Sequence, residues 1–219
     1  MGTVSLHAIS IDELRDVFSG TDAAVDRLRT VALATWPPAP APGRREGGLL
    51  GKLGPFSRRA VGAPIVRPGV PTGRDLHDVT HGREVPPDRR EAAWALVDAF
   101  VAATARDSLA FEADDRTIDD LDFEMAAAGL PSRYGLRQLF KGDTALPIKL
   151  LPGMADGYVR NRVAVAMASA WGEAVGQLEG EHALARRVAG WLGVFTNGTP
   201  DADEAGRPAP DLVVWYRSD

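Results

Sequence analysis

The chain has 219 residues, 45% of them hydrophobic and 25% charged, with a formal net charge of −5. That is enough apolar material for one full core, and too much for wholesale disorder. The absence of cysteine excludes disulfides, thiolate chemistry, Cys-ligated zinc and iron–sulfur clusters; the negative charge argues against a nucleic-acid partner, and no apolar run of membrane-spanning length appears.

From the N-terminus, Thr3 to Ile9 alternates, with Val4, Leu6 and Ala8 on one side and Ser5, His7 and Ile9 on the other, which predicts a strand. Ser10 with Glu13 three residues on reads as a capping box opening a helix, its stripe Ile11, Leu14, Val17 and Phe18, its end Gly20. A second helix starts at Thr21 or Asp22 with Val25, Leu28 and Ala32 inward. From about 36 to 73 the pattern gives way to a long segment rich in Pro, Gly and Arg. Such a length without regular structure is unusual inside a domain, and its apolar residues favour packing against the surface.

Helical signals resume over Thr72 to Thr80, stopped by Gly82. Pro86-Pro87-Asp88 opens a helix running to about Ala105, with Trp94, Val97 and Val101 inward and Leu96, Phe100 and Ala103 broadening the stripe. A short strand is expected at Leu109 to Glu112, helices at Thr117 to Ala128 and Tyr134 to Phe140, and extended chain at Ala145 to Leu150. Asp156 to Leu178 reads as the longest helix, with Val159, Val163, Met167, Ala170, Ala174 and Leu178 as its stripe; Glu181 to Phe195 follows, and Asp211 to Arg217 is the last strand. The expected fold is α+β and mostly helical, with a small sheet pairing the N-terminal and C-terminal strands in a single domain over 1–219.

The sharpest local pattern is Asp75-Leu76-His77-Asp78-Val79-Thr80-His81. On a helix His77 and His81 fall one turn apart, a spacing that can offer two imidazoles to one metal with Asp78 as a third ligand; an ordinary polar face is the simpler reading. The acids Asp114, Asp115, Asp119, Asp120, Asp122 and Glu124 could hold a hard cation, but acids at the start of a helix are also what its dipole favours. Arg44, Arg45, Arg58 and Arg59, with Lys52, Arg67 and a single Glu46, give the 36–73 segment a net +5 and leave −10 for the rest. They are candidates for binding an anion or acidic partner, or for pairing with the acidic remainder. The small residues Ala168, Gly172 and Gly176 would admit a second helix, within the fold or in a homodimer. Five tryptophans suit a core better than a ligand pocket.

Ala8-Ile9-Ser10-Ile11-Asp12-Glu13-Leu14-Arg15, Pro86-Pro87-Asp88-Arg89-Arg90 with Trp94, and Asp211-Leu212-Val213-Val214-Trp215-Tyr216 together give a layout that resembles a family of actinobacterial proteins with no established activity. The resemblance implies a bacterial cytoplasmic origin and nothing catalytic. The Met1 to Ser10 stretch carries no secretion-signal pattern, so the cytoplasm is the expected location. No nucleophile elbow, phosphate loop or dinucleotide fingerprint occurs, and no cofactor is expected. The leading expectation is a non-enzymatic protein that binds a protein or small-molecule partner in an accessory or immunity-type role. The alternative is a small-molecule enzyme with its pocket beneath the 36–73 loop, acting with or without a metal.

Overall fold

The computed structural model describes residues 1–37, 69–196 and 206–218. Arg44, Arg45, Arg58 and Arg59 lie outside the described residues, as does nearly all of the 36–73 loop.

The fold is α+β. Four strands, β1 (Gly2–Ile9), β2 (Ser108–Ala113), β3 (Met154–Val159) and β4 (Asp211–Ser218), form one antiparallel sheet in the order β2-β1-β4-β3. The two terminal strands pair as expected and sit at its centre, Gly2 opposite Ser218 and Ile9 opposite Asp211. Helices cover both faces. Val4, Leu6 and Ala8 of β1 turn the same way as Leu109 and Phe111 of β2 and Leu212 and Val214 of β4. They pack on α5 (Asp115–Ala127), α6 (Leu136–Leu139), α7 (Asn161–Gln177) and α8 (Ala183–Leu192). The opposite face carries Ile9, Val213, Trp215 and Met154. It packs on α1 (Ile11–Asp16), α2 (Asp22–Thr35), α3 (Gly73–Thr80) and α4 (Arg90–Thr104). Period-two alternation in the central strands thus feeds two cores at once.

Local chemistry explains most element ends. Ser10 caps α1 by accepting from the Asp12 amide at 3.3 Å, but the capping box does not close, because Glu13 is drawn instead to Arg207 at 3.0 Å. Thr72 and Asp75 do form a capping box on α3. Arg89 donates to both Asp75 oxygens and to the Val70 carbonyl, which ties α3 to the approach of α4.

Several expectations are corrected. The stretch read as the first turn of the longest helix is the edge strand β3, and α7 begins only at Asn161. The reason is close approach: a Cβ on Gly157 would run into the Leu139 carbonyl oxygen, so the chain there lies extended against the end of α6. With the later start, the buried face of α7 is Ala164, Met167, Ala168, Trp171 and Ala174, while Val163 is 41% exposed. Ala145 to Leu150 pairs with no strand. Ala103 is exposed rather than inward, and Gly172 and Gly176 face open space with no described helix against them. Trp94, Trp171 and Trp215 are core residues; Trp36 and Trp191 are half-buried.

Candidate ligand groove on the open half of the sheet

On the α1–α4 side, the register sets three cross-strand rows: Glu112–Thr3–Arg217–Met154, Ala110–Ser5–Trp215–Asp156 and Ser108–His7–Val213–Tyr158. Helix α4 crosses this face, and its Trp94 meets Trp215 of β4 edge-on at 5.6 Å between ring centroids. It leaves the β1–β2 half of this face less covered: Ser108, Ala110 and Glu112 are exposed, and Thr3, Ser5 and His7 are half-buried. The result is a groove of about 450 Å³ lined by Thr3, Ser5, His7, Trp215 and Arg217 from the sheet and by Asp98 and Ala102 from α4.

Three of these side chains carry the site's electrostatics. His7 stacks at 4.9 Å on Trp215, and its Nδ1 shares a hydrogen bond with Ser108 Oγ at 2.9 Å. Burial, reinforced by the nearby Arg217 cation, lowers its pKa to about 4, so the imidazole is neutral at pH 7. Asp98 accepts from Arg217 Nη2 at 2.6 Å. Burial pushes its carboxyl above the ordinary carboxylate range, with Arg217 pulling the other way. His7 Nε2 and Trp215 Nε1 are both buried without a hydrogen-bond partner, two of only four such side-chain atoms among the described residues. An unpaired buried polar atom costs roughly 1–3 kcal/mol, so two of them beside one groove mark a place where bonding capacity is unused.

The Ser108–His7 contact has the look of a nucleophile and its base. An imidazole with a pKa of about 4 is a feeble proton acceptor at neutral pH, and a general base works best with a pKa near the working pH.

The residues singled out from sequence lie elsewhere. His77 and His81 do come together on α3, ring centroids 4.1 Å apart, whereas Asp78 is turned toward Arg74 at 3.6 Å. The acidic cluster is absorbed into structure. Asp114 caps α5, Asp115 and Asp119 hold Arg137, and Asp120 faces Arg116. Asp122 caps α6 through the Leu136 and Arg137 amides at 2.7 and 2.9 Å. Among the described residues no group of three or more acids and histidines could hold a metal ion. Beside the two described ends of the 36–73 loop lies a cavity of about 350 Å³, lined by Trp36, Leu33, Leu76, Leu96, Thr72 and Arg29 among others. It has no acid–base pair. The groove residues sequence reading missed carried a weak signal: Thr3, Ser5 and His7 make one face of β1 polar up to Ile9, which a strand packed on both sides would not be.

No described helix is long and apolar enough to cross a membrane. The chain matches no family model, no curated protein and no solved structure.

Proposed function

We propose that the protein is a non-enzymatic binding protein, and that a small, uncharged, hydrogen-bonding molecule occupies the groove between β1 and α4. The observation that carries this reading is convergence. His7 from β1, Asp98 from α4 and Arg217 from β4 meet at one groove, their charges cancelling there: an ion pair and a neutral imidazole. Clustered displaced ionisable groups in a concavity mark functional sites. A phosphate or carboxylate would need a surplus positive charge that the groove lacks, whereas donors on Arg217, acceptors on Asp98 and the hydroxyls of Thr3 and Ser5 suit polyols, amides or neutral heterocycles.

Ala102 provides the test, being exposed and on the groove wall. A melting-point screen of the whole protein against neutral and ionic metabolites should give hits among the neutral compounds. A ligand at a hundred times its dissociation constant adds about 2.7 kcal/mol. Ala102→Trp should fill the groove and abolish those shifts while leaving the unliganded melting point nearly unchanged. Hits indifferent to Ala102→Trp would remove the groove from the proposal. Conversion of a bound compound to product would favour the enzyme reading.

A further inference from the structure

The α3 histidines form a second, separate feature. His77 and His81 are both exposed at its C-terminal end, one helical turn apart, with ring centroids separated by 4.1 Å. The hydrogen bonds settle which nitrogen of His81 carries its proton. The Thr80 hydroxyl, itself fully buried, reaches the Leu76 carbonyl at 2.9 Å and the His77 carbonyl at 3.2 Å. Carbonyl oxygens can only accept, so its single proton is committed there. His81 Nδ1 lies 2.9 Å from the His77 carbonyl and 3.1 Å from the Thr80 oxygen. Both are acceptors in that arrangement, so Nδ1 bears a hydrogen, and in the neutral ring the lone pair is then on Nε2. The ring is also backed by the turn at Gly20, whose φ is +69°; a Cβ built there would stand 3.6 Å from the His81 ring. His81 is thus held in the state of a metal-ligating histidine: one ring N–H donated to a backbone carbonyl, the other nitrogen free to coordinate.

We propose that His77 and His81 are a two-histidine site for a first-row divalent transition cation. Imidazole suits Zn²⁺, Ni²⁺ and Cu²⁺, and hard cations such as Mg²⁺ and Ca²⁺ prefer oxygen donors. With Asp78 engaged by Arg74, two protein ligands leave the remaining positions to solvent. The site is accordingly open and exchangeable, unlike a closed four-ligand structural site. Affinity rises from Co²⁺ to Ni²⁺ to Cu²⁺.

The test is calorimetric titration of the untagged full chain with Ni²⁺ and Zn²⁺, beside His77→Ala, His81→Ala and the control His182→Ala. Each α3 variant should weaken binding at least tenfold, which is 1.4 kcal/mol, and His182→Ala should not. His77→Ala should leave the melting point close to the parent's, and His81→Ala should lower it only slightly, through loss of the Nδ1 bond to the His77 carbonyl. In nitrogen NMR, Zn²⁺ should shift His81 Nε2 while Nδ1 stays protonated. Equal binding by parent and α3 variants, coordination through His81 Nδ1, or no binding at millimolar metal would each overturn the site.

Discussion

Asp211 offers the sharpest test of how the fold is joined. The residue is 3% exposed, and its carboxylate accepts from the Ile11 amide at 2.9 Å, from the Asn161 amide at 2.7 Å and from Arg160 at 3.3 Å. The two amides are the first of α1 and α7, donors that no intrahelical acceptor can reach. One side chain from β4 therefore caps two helices. A hydrogen bond to a charged acceptor contributes about 1.5–3 kcal/mol, and two bonds sharing one acceptor are not additive. Asp211→Ala should then cost about 3–5 kcal/mol, because it leaves the Ile11 and Asn161 amides without an acceptor at about 1–3 kcal/mol each. For a chain of this size that lowers the melting point by roughly 10 °C. Asp211→Asn is the more informative change. It keeps the shape but has one acceptor oxygen, and its NH₂ would face the second amide, so it should cost within about 1 kcal/mol of the alanine variant. Asp12, the exposed partner of Arg160, is the contrast: Asp12→Ala should cost less than about 1 kcal/mol. Urea unfolding of the three variants reads these values directly. An Asp211→Asn protein as stable as the parent would refute the double cap.

His7 should impose an acid limb on stability. Its folded pKa of about 4 lies below the usual 6.5, so its contribution is complete above pH 6.5 and is lost as pH falls toward 4, when only the unfolded chain takes up the proton. The shift corresponds to about 3 kcal/mol. The difference between unfolding free energies at pH 7 and pH 4.5 should shrink markedly in His7→Gln, and an unchanged difference would mean the imidazole is not desolvated. Gly157→Ala should be among the most damaging alanine substitutions in the chain, because the new Cβ meets the Leu139 backbone, which cannot swing aside as a side chain would. Little soluble, cooperatively melting protein is expected, and a variant within 1 kcal/mol of the parent would show that β3 and α6 have room to separate.

What could be read from sequence followed from how local the determinants were. Strand β1 alternates along most of its length, β4 is a short β-branched and aromatic run, and α4 and α5 carry wide stripes with recognisable starts, so pattern alone located them. Helix α7 fails that test at its beginning. Arg160 supplies no side-chain cap; the cap comes from Asp211, fifty positions away in sequence, and no local signal marks it. Without that boundary the apolar spacing of Val159, Val163 and Met167 reads as continuous helix, and the phase error leaves the fully buried Trp171 off the stripe. The groove was illegible for a related reason. His7 and Arg217 look unremarkable on their own strands, and only the β1–β4 register, together with the packing of α4 on that face, brings them to Asp98. The histidine pair on α3, by contrast, needed nothing beyond helical spacing.

The sheet order has a bearing on how the chain is made. Its two middle strands come from opposite ends, so the central ladder spans from Gly2 to Ser218. During synthesis β1 can find β2 once that strand has left the ribosome, but the place beside it stays vacant until β4 emerges, and β3 must wait as an orphan edge with its apolar side uncovered. Most of the helices are available long before the sheet they rest on is whole. A nascent chain of this topology is exposed to mispairing from the emergence of β1 to that of β4, the interval over which the central ladder stays half-built.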